Sequence, residues 1–240
     1  MPGGSYSALS GMQQRLSDLD RVAADLANIG TAGYKAERAA SNTAERPSFG
    51  ALLDSAIDVV SGQTKTDFRP GMIVQTGRDL DAAIEGDGFF VIETPQGTRY
   101  TRGGAFTRGI DGVLMTQDGA KVMGDGGEIT LPQGRITIGE DGTIRVGAAV
   151  AGVLRVVTFD RPEHELLRET GARFRAADSA SPYDADVNVV AGALEQSNVS
   201  AVERMAHLTE LSRAFEGLQK GVGTVLNELD SRAIMELGRK

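Results

Sequence analysis

Gly86-Asp87-Gly88-Phe89-Phe90-Val91-Ile92 is a glycine-bearing turn that leads directly into a short apolar run. Four apolar residues are too few for a helix, and bounded by a turn they read as a strand. The same unit recurs along the chain. Other β-prone runs are Thr98-Arg99-Tyr100-Thr101, Val113-Leu114-Met115-Thr116, Ile136-Thr137-Ile138, Ile144-Arg145-Val146 and Val153-Leu154-Arg155-Val156-Val157. Between them stand Asp111-Gly112, Asp118-Gly119, Asp125-Gly126 and Asp141-Gly142. Asp-Gly is a preferred hairpin pair because both residues tolerate positive φ. No helical stretch alternates with the strands between Asp67 and about Ala191. The middle of the chain therefore reads as an antiparallel sandwich or barrel, not a parallel α/β sheet.

Outward from this block the period changes to three and four. Near the start Leu9, Met12, Leu16, Leu19, Ala23 and Leu26 recur at that spacing, and near the end Leu208, Leu211, Phe215, Leu218, Val222, Val225 and Leu229 do the same. Each set puts an apolar stripe on one side of an α-helix, with the spacing used by helices that wind around each other. The first helix is expected from about Ser7 to Asn28, with Gly30 and Gly33 stopping it. The second opens on the capping box Ser200-Ala201-Val202-Glu203 and runs to about Leu237. Gly217, Gly221 and Gly223 lie inside it, each costing about 1 kcal/mol relative to Ala. That cost predicts termini that order on assembly with neighbours. The fold class is mainly β: an antiparallel domain flanked by terminal helices that form coiled-coil-type packing on assembly. The divisions are 1–36 (helix and turn), 37–66 (linker), 67–191 (β-domain) and 192–240 (long helix). Within the linker, Ala51 to Val60 reads equally as a short helix or as a segment waiting for a partner.

At 240 residues the chain is long enough for one large domain or two small ones. Its 31 glycines exceed the usual share of ~7% and fit many tight turns. A net charge of −8 with no Lys/Arg cluster argues against nucleic acid or an anionic membrane surface as partner. No apolar stretch reaches the ~18 residues of a membrane span. The absence of cysteine excludes disulfides, thiolate metal sites and a Cys nucleophile. Met1-Pro2-Gly3-Gly4-Ser5-Tyr6 lacks the basic start and apolar core of a signal peptide. The expectation is a cytoplasmic protein, or one exported without signal cleavage.

Motifs for catalysis are lacking. His164 sits in the charged stretch Pro162-Glu163-His164-Glu165, and His207 lies beside the C-terminal seam; neither has a second His to share a metal. Asp79-Leu80-Asp81 and Gly86-Asp87-Gly88 lack the spacing of a calcium loop, and turn chemistry accounts for them. Gly221-Val222-Gly223 falls in a helical pattern rather than after a strand, unlike a dinucleotide fingerprint. The expectation is no catalytic residue, no metal and no cofactor.

The chain resembles the axial proteins of the bacterial flagellum, the rod and hook family. The resemblance rests on stretches in the family's order: Leu26-Ala27-Asn28-Ile29-Gly30-Thr31-Ala32-Gly33-Tyr34-Lys35, Asp81 to Phe90, Tyr100-Thr101-Arg102-Gly103-Gly104-Ala105-Phe106, and Gly192-Ala193-Leu194-Glu195-Gln196-Ser197-Asn198-Val199. The length and the stretch from Val122 to Pro132 are most similar to the proximal-rod members. Met1-Pro2-Gly3-Gly4, Gly30 and Gly103 depart from the usual pattern. The resemblance implies a non-enzymatic subunit exported unfolded by the flagellar type III apparatus. It would polymerise in the periplasm with itself and other rod proteins into a torque-transmitting shaft. Asn28, Gly33, Tyr34 and the two seams are then the expected assembly residues. Competing readings are a ligand-binding or enzymatic β-domain with dimerisation helices, and an adhesin-like secreted protein.

Overall fold

The computed structural model describes residues 3–39 and 64–237, so the ambiguous stretch from Ala51 to Val60 lies outside the described residues. The chain divides into a helical unit and a β-unit. The β-unit comprises residues 28–38 and 65–199. The helical unit contains α1 (Gly3–Ala27) and α3 (Ala201–Leu237). A single short helix, α2 (Pro162–Glu165), interrupts the β-unit.

Strand Phe89–Thr94 is the axis of the β-unit. It pairs antiparallel with Gly97–Thr101, Lys121–Gly124 and Val156–Thr158. The main sheet runs in the order Leu166–Arg168, Arg173–Ala176, Gly97–Thr101, Phe89–Thr94, Lys121–Gly124, Leu114–Thr116, Phe106–Arg108. Successive side chains of a strand point to opposite faces. Accordingly Phe90 and Ile92 enter one core, with Phe106, Leu114, Ile129, Leu131 and Ile144. Phe89 and Val91 enter a second, with Tyr100, Phe159, Leu166 and Phe174. Both faces of this strand are buried, which explains an unbroken apolar run in place of the alternation of a half-exposed strand. A smaller antiparallel sheet, Ile136–Ile138, Thr143–Val146 and Ala149–Val153, adds Ile138, Ile144 and Val146 to the first core.

Three hairpin turns share one construction. Gly112, Gly119 and Gly142 donate their N–H groups to Gly109, Thr116 and Gly139, each at 3.0 Å. Each of these glycines has positive φ, and no described non-glycine residue does. The aspartates therefore do not share the left-handed conformation. The turn is carried by the two residues before glycine, as in a turn closed by a bulge. At Asp87-Gly88 and Asp125-Gly126 the positive φ falls on Gly86 and Gly127 instead. The run Val153 to Val157 is also broken. Leu154 bridges to Gly124 and the Arg155 N–H donates to Met123, so the chain leaves one sheet for another at this point.

In the helical unit α1 and α3 pack on each other, burying Val22 and Leu211. The Glu203 N–H donates to Ser200 Oγ at 3.4 Å, which is one half of the capping box. An ion pair of 3.1 Å joins buried Asp25 of α1 to Arg204 of α3.

Candidate assembly site

The expected assembly residues fall into three settings. On α3, Leu208, Phe215 and Leu218 are half-buried and Leu211 is buried. On α1, Met12, Leu19 and Leu26 are half-buried, whereas Leu16 is 46% exposed and Ala23 is exposed. The residues of α1 most deeply covered are Val22 and Asp25, one step round the helix from the apolar stripe. The side chains of Leu9, Val222, Val225 and Leu229 lie outside the described residues. Asn28, Gly33 and Tyr34 belong to the β-unit.

Within the β-unit the turn after α1 is held tightly. Thr31 donates through its N–H to the Asn28 carbonyl and through its hydroxyl to Asn28 Oδ1. Gly33 has φ +70°, and a Cβ there would lie 2.3 Å from the Arg102 carbonyl carbon. Only glycine suits both the conformation and the close approach. The Gly33 N–H donates to the Glu195 carbonyl at 2.7 Å. Tyr34 is buried with Ala36 and Val199, and the Arg168 guanidinium lies 4.5 Å from the centre of its ring.

The next residue, Lys35, opens a buried charge cluster. Its ammonium pairs with Glu195 and donates to the Arg69 carbonyl at 2.9 Å. The other Glu195 oxygen pairs with Arg102 at 2.9 Å. Arg102 also donates to the Gly86 and Gly88 carbonyls, both at 2.8 Å, and Glu195 accepts the Gly71 N–H. Beside them Asn198 accepts the Ala36 N–H at 2.7 Å and donates to the carbonyls of Asp67 and Arg69. Burial pulls the Lys35 ammonium below its ordinary pKa, against the opposing pull of Glu195, and the second cation Arg102 adds to the lowering. Burial likewise lowers Arg102. One carboxylate thus serves two cations out of water.

Sequence reasoning singled out Gly33 and Tyr34 but missed Lys35, Arg102, Glu195 and Asn198. The available signal was a charged or amide side chain standing inside glycine-rich or apolar motifs. All four quoted motifs supply a member of this cluster. The Asp81–Phe90 motif contributes the Gly86 and Gly88 carbonyls. His164 and His207 do not join any group of potential metal ligands among the described residues.

The flagellar hook protein FlgE/F/G D1 domain matches residues 83–146, and the flagellar basal body rod FlgEFG protein C-terminal domain matches residues 190–234. The flagellar basal-body rod protein FlgF of Caulobacter vibrioides is 34% identical, covering 100% of this chain and 99% of its own length. The chain belongs to the flagellar basal-body rod protein family. It is most like the FlgF members of that family. FlgF of Salmonella typhimurium is 33% identical over 95% of each chain, and the rod protein FlgG of Bacillus subtilis is 31% identical over 93% of this chain and 96% of its own. The family is structural rather than enzymatic. The rod-family matches span both ends of the charge cluster, from Gly86 and Arg102 in the first domain to Glu195 and Asn198 in the second.

Proposed function

We propose that the chain is a structural subunit of the flagellar rod that polymerises through its terminal helices. The single observation that carries this reading is the division of α1 into two stripes. Its Val22/Asp25 stripe is covered, while Leu16 and Ala23 of the apolar stripe face outward. An apolar stripe at this spacing is the surface that a neighbouring helix covers in a coiled coil. On α3, a Cβ at Gly217, Gly221 or Gly223 would meet nothing within 4 Å, which leaves room for close approach of another helix. Gly33 and Tyr34 contribute by anchoring the turn that follows α1.

In this reading the partners are further copies and other rod and axial proteins, and the β-unit is an autonomous body that transmits torque along the shaft. Passage through the flagellar type III export apparatus, without a cleaved signal, delivers the chain to the periplasm. Leu16→Asp in the full chain tests the central step. Rod incorporation should be lost while the thermal transition of the β-unit stays in place. Incorporation at the normal level would refute the reading, and Leu218→Asp on α3 should behave as Leu16→Asp does.

A further inference from the structure

The covered stripe of α1 is charged where a helix seam is ordinarily apolar. Asp18, Arg21 and Asp25 recur at steps of three and four. Asp18 and Arg21 pair along the helix at 2.8 Å. Asp25, 0% exposed, pairs across to Arg204 of α3 at 3.1 Å. Both partners belong to the helical unit, Asp25 two residues before the end of α1 and Arg204 in the first turn of α3. Burying two charges carries a desolvation penalty that rivals their attraction, so such a pair is a weak source of stability. Its best-attested use is to fix register: any shift of one helix along the other leaves a buried charge alone.

We propose that Asp25 and Arg204 act as the register key of the α1–α3 pair, selecting one alignment of the two helices over neighbouring alignments of similar apolar burial. A slip of one turn moves α3 by about 5.4 Å along α1. Val22 could then meet another apolar residue of α3, whereas Asp25 would lose Arg204. The key therefore determines which residues the two helices present together on their outer faces.

The cysteine-free chain allows clean double labelling. Spin labels at exposed Arg15 of α1 and exposed Val202 of α3, offset from each other along the helix axis, report the alignment as a distance distribution in the full-length protein. The unaltered pair should give one narrow distance. The apolar pair Asp25→Leu with Arg204→Met should keep or raise the thermal midpoint of the helices yet add a second distance about 5 Å away. The reversed pair Asp25→Arg with Arg204→Asp should restore the single distance. One unchanged distance in the apolar pair, with or without loss of stability, would overturn the proposal and leave the contact merely structural. Should the apolar pair fail to fold, the reversed pair decides: a single native distance supports the key, and a split or shifted distribution overturns it.

Discussion

Lys35 and Glu195, 160 residues apart in sequence, meet as an ion pair in which neither side chain is more than 1% exposed. The pair closes the β-unit by joining the segment that enters it to the segment that leaves it. Removing the shared carboxylate strands two cations at once. Glu195→Gln should lower the stability of the β-unit by about 3–5 kcal/mol, the cost of breaking a buried pair, as measured by urea denaturation of the full chain.

The lowered pKa of Lys35 gives a pH signature. Near its ordinary value of 10.5 the unfolded chain still holds a proton that the folded chain has begun to release. Stability then rises with pH in that window, because the unfolded state binds more protons. As the pH rises toward 10.5 the unaltered protein should gain stability relative to Lys35→Met, in denaturation midpoints compared at each pH. Buried Tyr100, held above its usual pKa by desolvation, has the opposite sign but is common to both proteins and cancels.

Gly33 and Gly30 separate conformation from mere proximity to a turn. Gly33→Ala places a side chain at φ +70° and 2.3 Å from backbone, so a loss of about 1–3 kcal/mol is expected in thermal melts. Gly30→Ala meets nothing within 4 Å and has no positive φ, and should leave the midpoint nearly unchanged.

Gly217 and Gly221 make the reverse case. Both are exposed and open, so each change to Ala should stabilise α3 in the free chain by about 1 kcal/mol, read as helical ellipticity against temperature. If neighbouring helices use that space, the same substitutions should reduce rod incorporation. A gain in both measurements would show that the glycines have no role in packing.

The strand run at Phe89 was legible because a turn signal and four apolar residues leave little alternative. The C-terminal end of α1 and the start of α3 were legible because glycine and a capping serine bound them, whereas α1 begins at Gly3, four residues before the expected Ser7. The inner face of α1 was not legible. Periodicity detects only the apolar stripe through Met12, Leu19 and Leu26, and the burial of Asp25 depends on a cation supplied by a distant helix. For the same reason Lys35, Arg102 and Glu195 read as ordinary charges until the fold brings them together. The Asp-Gly turns were placed correctly, but their backbone differs from the expectation: no aspartate takes positive φ, and in two of the turns Gly86 and Gly127 take it in place of the paired glycine.

The strand Phe89–Thr94 also has a mechanical consequence. Phe89 and Val91 are locked into one core, and Phe90 and Ile92 into the other. Together with Val156–Thr158, which likewise sends Val156 into one core and Val157 into the other, this strand resists shear of the two cores past each other. It acts as the web of a beam between two flanges, and gives the β-unit stiffness in the direction in which a stack of loosely joined layers would be weakest.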